Sequence, residues 1–206
     1  MRDRVRMGDR VAFAALFEEY SRAVYNHAFR LTGDWSLAEE VMSETFLEAW
    51  RTREEVEPEG GSLRPWLFGI ATNKARNANR GVRRRLAFLA QRLSMGSVRD
   101  FADESASRID DGRELEAVRR AMKALRRPEH EVLALCVWSG LDYVQAAQAL
   151  GVPVGTVRSR LSRARARLRR LTDEELTADP DRARRGCAAG ESTATVTDLT
   201  TWKEVR

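Results

Sequence analysis

The sequence predicts an all-α protein: two small helical domains joined by a flexible linker, the C-terminal one a helix-turn-helix. Three observations carry that expectation. Apolar residues recur at steps of three and four, beginning with Phe13, Leu16, Phe17, Tyr20, Val24, Ala28 and Leu31, as one buried helix face requires. A stretch at 94–112, rich in Ser, Asp and Gly, separates two such periodic blocks. The 206 residues are 33% charged against 43% apolar, a balance that suits small helical units with much solvated surface.

Each element has its own signals. Asp9 is the expected N-cap of the first helix and Gly33 its stop. Ser36 and Glu39 form a capping-box pattern that opens the second helix, with Val41, Met42, Phe46, Ala49 and Trp50 as its apolar contacts. An acidic loop follows at 54–61. Pro65 suits the first turn of a third helix, from Trp66 to about Arg85. Leu115, Val118, Met122 and Leu125 open the second domain. Pro128 starts a helix that carries Val132, Leu133, Leu135 and Val137 and stops near Gly140. The last two helices are expected at 143–150 and 154–171. The expected division is a first domain at 9–86, a linker at 87–112, a second domain at 113–171 and a disordered tail at 172–206.

Composition excludes several classes of function. The charged start is no secretory signal, and the longest apolar run, 132–138, is too short to span a bilayer. The expectation is a soluble, cytoplasmic protein with no membrane partner. Cys136 and Cys187 are far apart, which argues against a disulfide framework or a zinc site. Cys136 reads as a small core residue. The two histidines, His27 and His130, lie in separate helical segments, and there is no P-loop, metal-ligand cluster or nucleophile–base pair. Hence no catalytic residue, no metal and no cofactor is expected, and the protein is not expected to be an enzyme. The net charge of +5 agrees with a polyanionic partner.

The strongest local pattern runs from Asp142 to Arg170. A helix-turn-helix needs a small residue where its helices cross, and Ala147 serves. It needs a turn residue tolerant of positive φ, and Gly151 serves. Leu150, Val152, Val157 and Leu161 then lock the second helix onto the first. That helix carries seven arginines within 158–170 and no acid, while Val157, Leu161, Ala164, Leu168 and Leu171 keep a narrow apolar stripe. Such a helix packs on one face and meets phosphates on the other, with affinity that falls as salt rises. The N-terminal residues of a recognition helix meet base edges. The candidate DNA-binding residues on this helix are Thr156, Arg158, Ser159, Arg160, Arg163 and Arg165.

Charge is segregated in the first domain. Thirteen acids face eight basic residues through Gly60, whereas Gly61 to Arg99 holds nine basic residues and no acid. The helix beginning at Ser36 places Glu40, Glu44 and Glu48 at i, i+4 spacing. The helix beginning at Trp66 carries Asn73, Lys74, Arg76, Asn77, Arg80, Arg83, Arg84 and Arg85.

At these residues the chain resembles the sigma-70 family of RNA polymerase sigma factors, in its extracytoplasmic-function (ECF) group. The resemblance lies in LAEEVMSETFLEAW from Leu37 to Trp50, RPWLFGIATNKAR from Arg64 to Arg76, and GVPVGTVRSRLSRAR from Gly151 to Arg165. It covers roughly 9–171, with the motifs in the family's order. It implies that the first domain is the family's second region and the last domain its fourth. It implies core RNA polymerase and promoter DNA as partners, with the clamp helices of the largest subunit and the flap as docking points. An anti-sigma factor is a further partner of many family members. Glu39, Glu40, Glu44, Phe46, Leu47 and Trp50 are then the polymerase-binding candidates. Trp66, Asn73, Lys74, Asn77, Arg80, Arg83 and Arg84 are the candidates for the −10 element, with base capture by the loop at 54–63, and the helix-turn-helix takes the −35 element. Ser43 stands where many members carry Gln, and Gln145, which the resemblance adds to the −35 candidates, where many carry Glu. The competing expectation is a helix-turn-helix regulator that does not bind core polymerase as a sigma subunit.

Overall fold

The computed structural model describes residues 1–57, 61–92, 120–122 and 124–177. An N-terminal bundle is built from α1 (Arg2–Arg6), α2 (Arg10–Thr32), α3 (Trp35–Arg51), a 3-10 turn (Arg53–Glu55) and α4 (Arg64–Arg92). A C-terminal unit follows, with α5 (Arg127–Leu133), a π-helical turn (Ala134–Trp138), α6 (Tyr143–Leu150) and α7 (Val154–Thr177). Among the described residues every element is helical.

The helix ends follow from side-chain chemistry. Asp9 caps α2 by accepting from the Val11 and Ala12 backbone N–H groups at 2.9 and 3.2 Å. Arg4, 2.7 Å away, holds the Asp9 carboxyl below the usual carboxylate range. Gly33 closes α2 at φ 70°, where a β-carbon is strained. The second helix starts earlier than Ser36. Asp34 is its N-cap and accepts from the Leu37 N–H at 2.9 Å, so Ser36 lies inside the first turn. The helix after Pro65 runs to Arg92, not Arg85, which places 87–92 in α4 rather than in a linker. The expected helix around Leu115 and Val118 and the remaining linker lie outside the described residues. The last helix runs to Thr177, so 172–177 belong to α7 rather than to a disordered tail. Arg170 pairs with Glu174 at 2.8 Å and the Thr172 hydroxyl donates to Leu168 O at 2.9 Å along that turn. The rest of the tail lies outside the described residues.

Three small apolar clusters hold the bundle. Val5, Ala12, Leu16, Val56 and Leu63 fill one end. Val24, Phe46, Ala49, Leu67 and Ala71 fill the middle, where the Phe13 ring stands edge-on to Trp50 at 5.0 Å. Ala28, Ala38, Val41 and Ala75 fill the other end, and small side chains there let the helices approach closely. Among the described residues the C-terminal unit has a single cluster, including Val132, Leu135, Leu141, Val157 and Leu161. One of its buried members, Phe68, comes from α4. The two units therefore pack directly on each other.

Candidate nucleic-acid and partner interfaces

The helix-turn-helix is fixed by its ends. Asp142 and Gln145 form a capping box: Asp142 Oδ1 accepts from the Gln145 N–H at 2.7 Å, and Gln145 Oε1 accepts from the Asp142 N–H at 3.2 Å. Gly151 takes φ 64° and lets the chain turn sharply into α7. Val157, Leu161 and Ala164 are buried on the inner side of α7, while Arg158, Ser159, Arg163 and Arg165 are exposed and Thr156 and Arg160 half-exposed. The structure thus brings six of the predicted contacts onto one helix. Arg158 lies over the Tyr143 ring at 5.7 Å, a cation–π contact that orients the guanidinium before any ligand arrives. The Ser159 hydroxyl donates to Thr156 O at 3.1 Å, and Arg163 Nε donates to Ser159 O at 3.2 Å. Gln145 sits on α6 with its amide oxygen committed to the cap, which leaves the NH2 group for a base.

On α4, Asn73, Asn77, Arg80 and Arg84 recur at steps of four, three and four and are all exposed. Arg83 is exposed beside them. Lys74 points another way: its Nζ lies 3.3 Å from Glu48 and 3.7 Å from Glu44, so it ties α4 to α3. Trp66 is half-buried against the first two clusters and walls the bundle from inside. Arg2 of α1 donates to the backbone carbonyls of Glu57, Gly61 and Ser62, and Val5 plugs the cluster beneath. The short, charged α1 has too little periodicity to be read from sequence, yet it is what grips this loop.

The outer face of α3 carries Glu40, Ser43, Glu44 and Leu47, with Glu39 at its edge; Leu47, one turn beyond Ser43 and Glu44, is 67% exposed. Phe46 is only 5% exposed and belongs to the core, so it backs this face without forming part of it. Trp50 is half-buried, with Arg53 over its ring at 4.8 Å.

Several polar groups joining the two units were not singled out by sequence. His27 is fully buried: its Nε2 lies 2.9 Å from Thr72 Oγ1 and its Nδ1 3.2 Å from Ser139 Oγ. The Thr72 hydroxyl donates to Phe68 O at 2.8 Å. It therefore accepts from Nε2–H, and Ser139 donates to Nδ1, which requires a neutral imidazole. Burial, aided by Arg30 and His130, pushes His27 down to about 3. Arg76 forks onto Glu131 at 2.6 and 2.7 Å, and Glu131 is 3% exposed. Arg64 donates to Ser139 O, and Arg30 lies over Trp138 at 5.5 Å. Burial pushes the Cys136 thiol up to about 11, so it stays protonated as a small core group. Among the described residues no group of three His, Cys, Asp or Glu could hold a metal ion, and no helix is long and apolar enough to cross a membrane.

Comparison with known proteins gives these surfaces a context. Sigma-70 region 2 matches residues 16–103, and Sigma-70, region 4, matches residues 115–168. The ECF RNA polymerase sigma factor SigL of Mycobacterium tuberculosis is 33% identical over 162 residues, 79% of this chain and 89% of that protein. The RNA polymerase sigma factor NccH of Alcaligenes xylosoxydans xylosoxydans is 28% identical over 169 residues, 82% of this chain and 90% of that protein. Among solved structures, CnrH in complex with the cytosolic domain of CnrY matches with a TM-score of 0.60 and 25% identity, covering 84% of this chain and 94% of that one. The sigma factor RpoE of Bartonella quintana, in complex with the anti-sigma factor NepR, matches with a TM-score of 0.57 and 27% identity, covering 79% and 97%.

Proposed function

This chain belongs to the ECF group of the sigma-70 family, a sigma factor that binds core RNA polymerase and directs transcription from promoters, and we propose how its residues divide that work. The observation that carries the division is the presence of three chemically distinct surfaces on one short chain. One is acidic with an exposed leucine beside it, one is an acid-free helix bearing amides and cations, and one is a basic recognition helix.

The α3 face docks the polymerase. Leu47 inserts into an apolar site on the clamp helices of the largest subunit, while Glu39, Glu40 and Glu44 meet basic groups around it. Phe46 and Trp50 hold the helix in place from behind. The α4 face, with Asn73, Asn77, Arg80, Arg83 and Arg84, meets the −10 element: guanidiniums neutralise phosphates and amides read base edges. Lys74 serves by fixing α4 against α3. Opening DNA costs a few kcal/mol per unstacked base, about 1–3 kcal/mol of which a stacking pocket restores per base. The loop gripped by Arg2, backed by Trp66, is where that pocket lies. On the C-terminal unit, Thr156, Arg158, Ser159 and Arg160 meet the major groove of the −35 element, Arg163 and Arg165 meet the backbone, and Gln145 offers its NH2 group. The unit also docks on the polymerase flap.

The protein works in the cytoplasm, as a dissociable subunit with no catalytic chemistry of its own. An anti-sigma factor is a further partner; the likeness to RpoE, solved with NepR, supports it. Genome-wide in vitro transcription with core polymerase and the purified chain tests the whole reading. Promoter-specific transcripts that require the chain are expected. Duplex binding by stable dimers, with no affinity for core polymerase, would instead identify an ordinary helix-turn-helix regulator.

A further inference from the structure

We propose that α1 is a positioning element for base capture: the Arg2 guanidinium holds the two ends of the loop at 54–63 at a fixed spacing, so that the loop meets an unstacked base with its ends already ordered. The proposal deepens the base-capture reading above and rests on it.

The grip is made by one side chain. Arg2 Nε donates to Gly61 O at 3.2 Å and Nη2 to Ser62 O at 3.3 Å, while Nη1 donates to Glu57 O. A guanidinium is planar and presents its donors as a rigid fork, so three carbonyls on one fork are held at set distances from one another. Glu57 lies on the way into the loop and Ser62 on the way out, so the contact ties the loop across its neck. Arg6 Nε adds a longer contact to Glu54 O, at 3.4 Å, further back on the entering side. On the leaving side the grip passes to the DNA-facing helix, because Ser62 Oγ accepts from the Arg64 N–H at 3.2 Å where α4 begins.

Apolar packing aims the fork. Val5 is fully buried, and its cluster contains Val56 and Leu63, which bracket the neck, together with Ala12 and Leu16 of α2. Arg4 pairs with Asp9 at 2.7 Å across the turn from α1 into α2. At Gly8 the backbone of that turn takes φ 78°, and a β-carbon there would stand 3.0 Å from Arg53 Nε. Arg53 in turn lies over the Trp50 ring and donates to Trp50 O at 2.8 Å, so α1 leans on the end of α3 as well.

Two features set this role apart from charge attraction. Arg2 meets carbonyl oxygens and not the loop's carboxylates, so what it sets is backbone geometry. Residues 2–8 also lie ahead of both matched family regions, 16–103 and 115–168, so the grip comes from outside the shared frame. Ordering a loop costs conformational entropy at the moment of binding unless the loop is ordered beforehand. A neck fixed in advance removes that cost from the capture step, and the gain is felt only when a base is captured.

Arg2→Gln and Arg2→Lys in the full-length chain, each assembled with core polymerase, test this on fork-junction DNA from a mapped promoter. The non-template strand of the −10 element is left unpaired, and each of its bases is removed in turn to give an abasic site. For the wild type, at least one abasic position should weaken binding about tenfold, the loss of one stacked base. Arg2→Gln should weaken binding to the intact fork about fivefold to tenfold, but binding to the fork abasic at that position less than about twofold. Core-polymerase affinity and the urea unfolding midpoint should match the wild type. Arg2→Lys keeps the charge without the fork and should behave like Arg2→Gln. A Lys variant with wild-type binding, or a salt slope that falls by about 0.9 in Arg2→Gln, would make Arg2 a phosphate contact and overturn the proposal. An equal loss on intact and abasic forks, or a loss of core-polymerase affinity, would mark a general structural role and overturn it too. A wild-type holoenzyme that binds every abasic fork as tightly as the intact one would remove base capture itself, and the proposal with it, while leaving the sigma-factor assignment in place.

Discussion

On α4 the cations beside the bundle are held by acids, Lys74 by Glu44 and Glu48 and Arg76 by Glu131. On α7, Arg158, Arg160, Arg163, Arg165 and Arg169 have no acid partner among the described residues, and Arg170 alone is paired, with Glu174. The amides are distributed the other way, with Asn73 and Asn77 on the exposed face of α4 and none on α7. The difference teaches what each helix is built to meet. A run of unpaired arginines draws duplex DNA from a distance and holds it with a strong salt dependence. A helix with restrained cations and exposed amides attracts weakly and discriminates at short range, which suits bases already leaving the stack.

The largest effect expected from this contrast lies beneath α7. Leu161→Ala should destabilise the C-terminal unit by about 2–5 kcal/mol in urea unfolding, since the side chain is buried in its apolar cluster. Leu47→Ala on the outer face of α3 should change stability by less than about 0.5 kcal/mol while weakening core-polymerase binding. Similar stability losses from both would show that Leu47 is not a docking side chain. Arg160→Ala should weaken binding to a −35 duplex by about 1–3 kcal/mol, and preference at one base should relax. An equal loss on every sequence would make Arg160 a backbone contact. Asn77→Ala should lower open-complex yield by about tenfold, read by permanganate reactivity of unpaired thymines, with core binding unchanged; that is about 1–3 kcal/mol of base contact. A normal yield would remove Asn77 from the −10 surface.

The buried histidine gives a pH test of the contact between the units. His27 lies well below its ordinary 6.5, at about 3, so the unfolded chain binds the extra proton between those values. Stability is then fully present above about 6.5 and falls as pH drops towards 3, by roughly 1 kcal/mol for the first unit. The charged or titratable groups near it are Arg30, Arg64 and His130, and His130 is itself held low by burial. His27→Gln should flatten the profile between pH 6.5 and 5; an unchanged slope would assign the acid sensitivity to His130. The smallest expected effect is that of Lys74→Gln. Its half-exposed pairs are worth less than about 1 kcal/mol, and a larger loss would mean that they fix α4 more firmly than surface pairs do.

Local signals were legible where the chemistry is local. Asp9 and Gly33 bound α2, and Asp142 and Gly151 bound α6, because capping groups and a positive φ lie next to the ends they define. The start of α3 was misplaced because Asp34, two residues before Ser36, reaches the Leu37 N–H. The far end of α4 was missed because its apolar residues there, Leu86, Phe88 and Leu89, are largely exposed and follow no buried stripe. The DNA and docking surfaces could be proposed because like residues recur at helical spacing. The contact between the units could not. Gly69 and Ala149 are 80 residues apart, and Arg76 and Glu131 are 55 apart. Nothing in the pattern around either partner marks the other.

The π-helical turn at Ala134–Trp138 carries more residues per turn than the α-helix around it. The Ser139 N–H reaches back five residues to Ala134 O at 3.0 Å, which sets the direction in which Ser139 leaves the turn. Adding a further residue to this stretch, whose π turn already takes up one extra, would turn everything downstream by about 100° around the helix axis. The helix-turn-helix would survive, since its caps at Asp142 and Gly151 are its own. His27 and Arg64, however, would no longer find Ser139. An insertion at this point would therefore rearrange how finished parts are assembled without touching a single DNA-facing side chain.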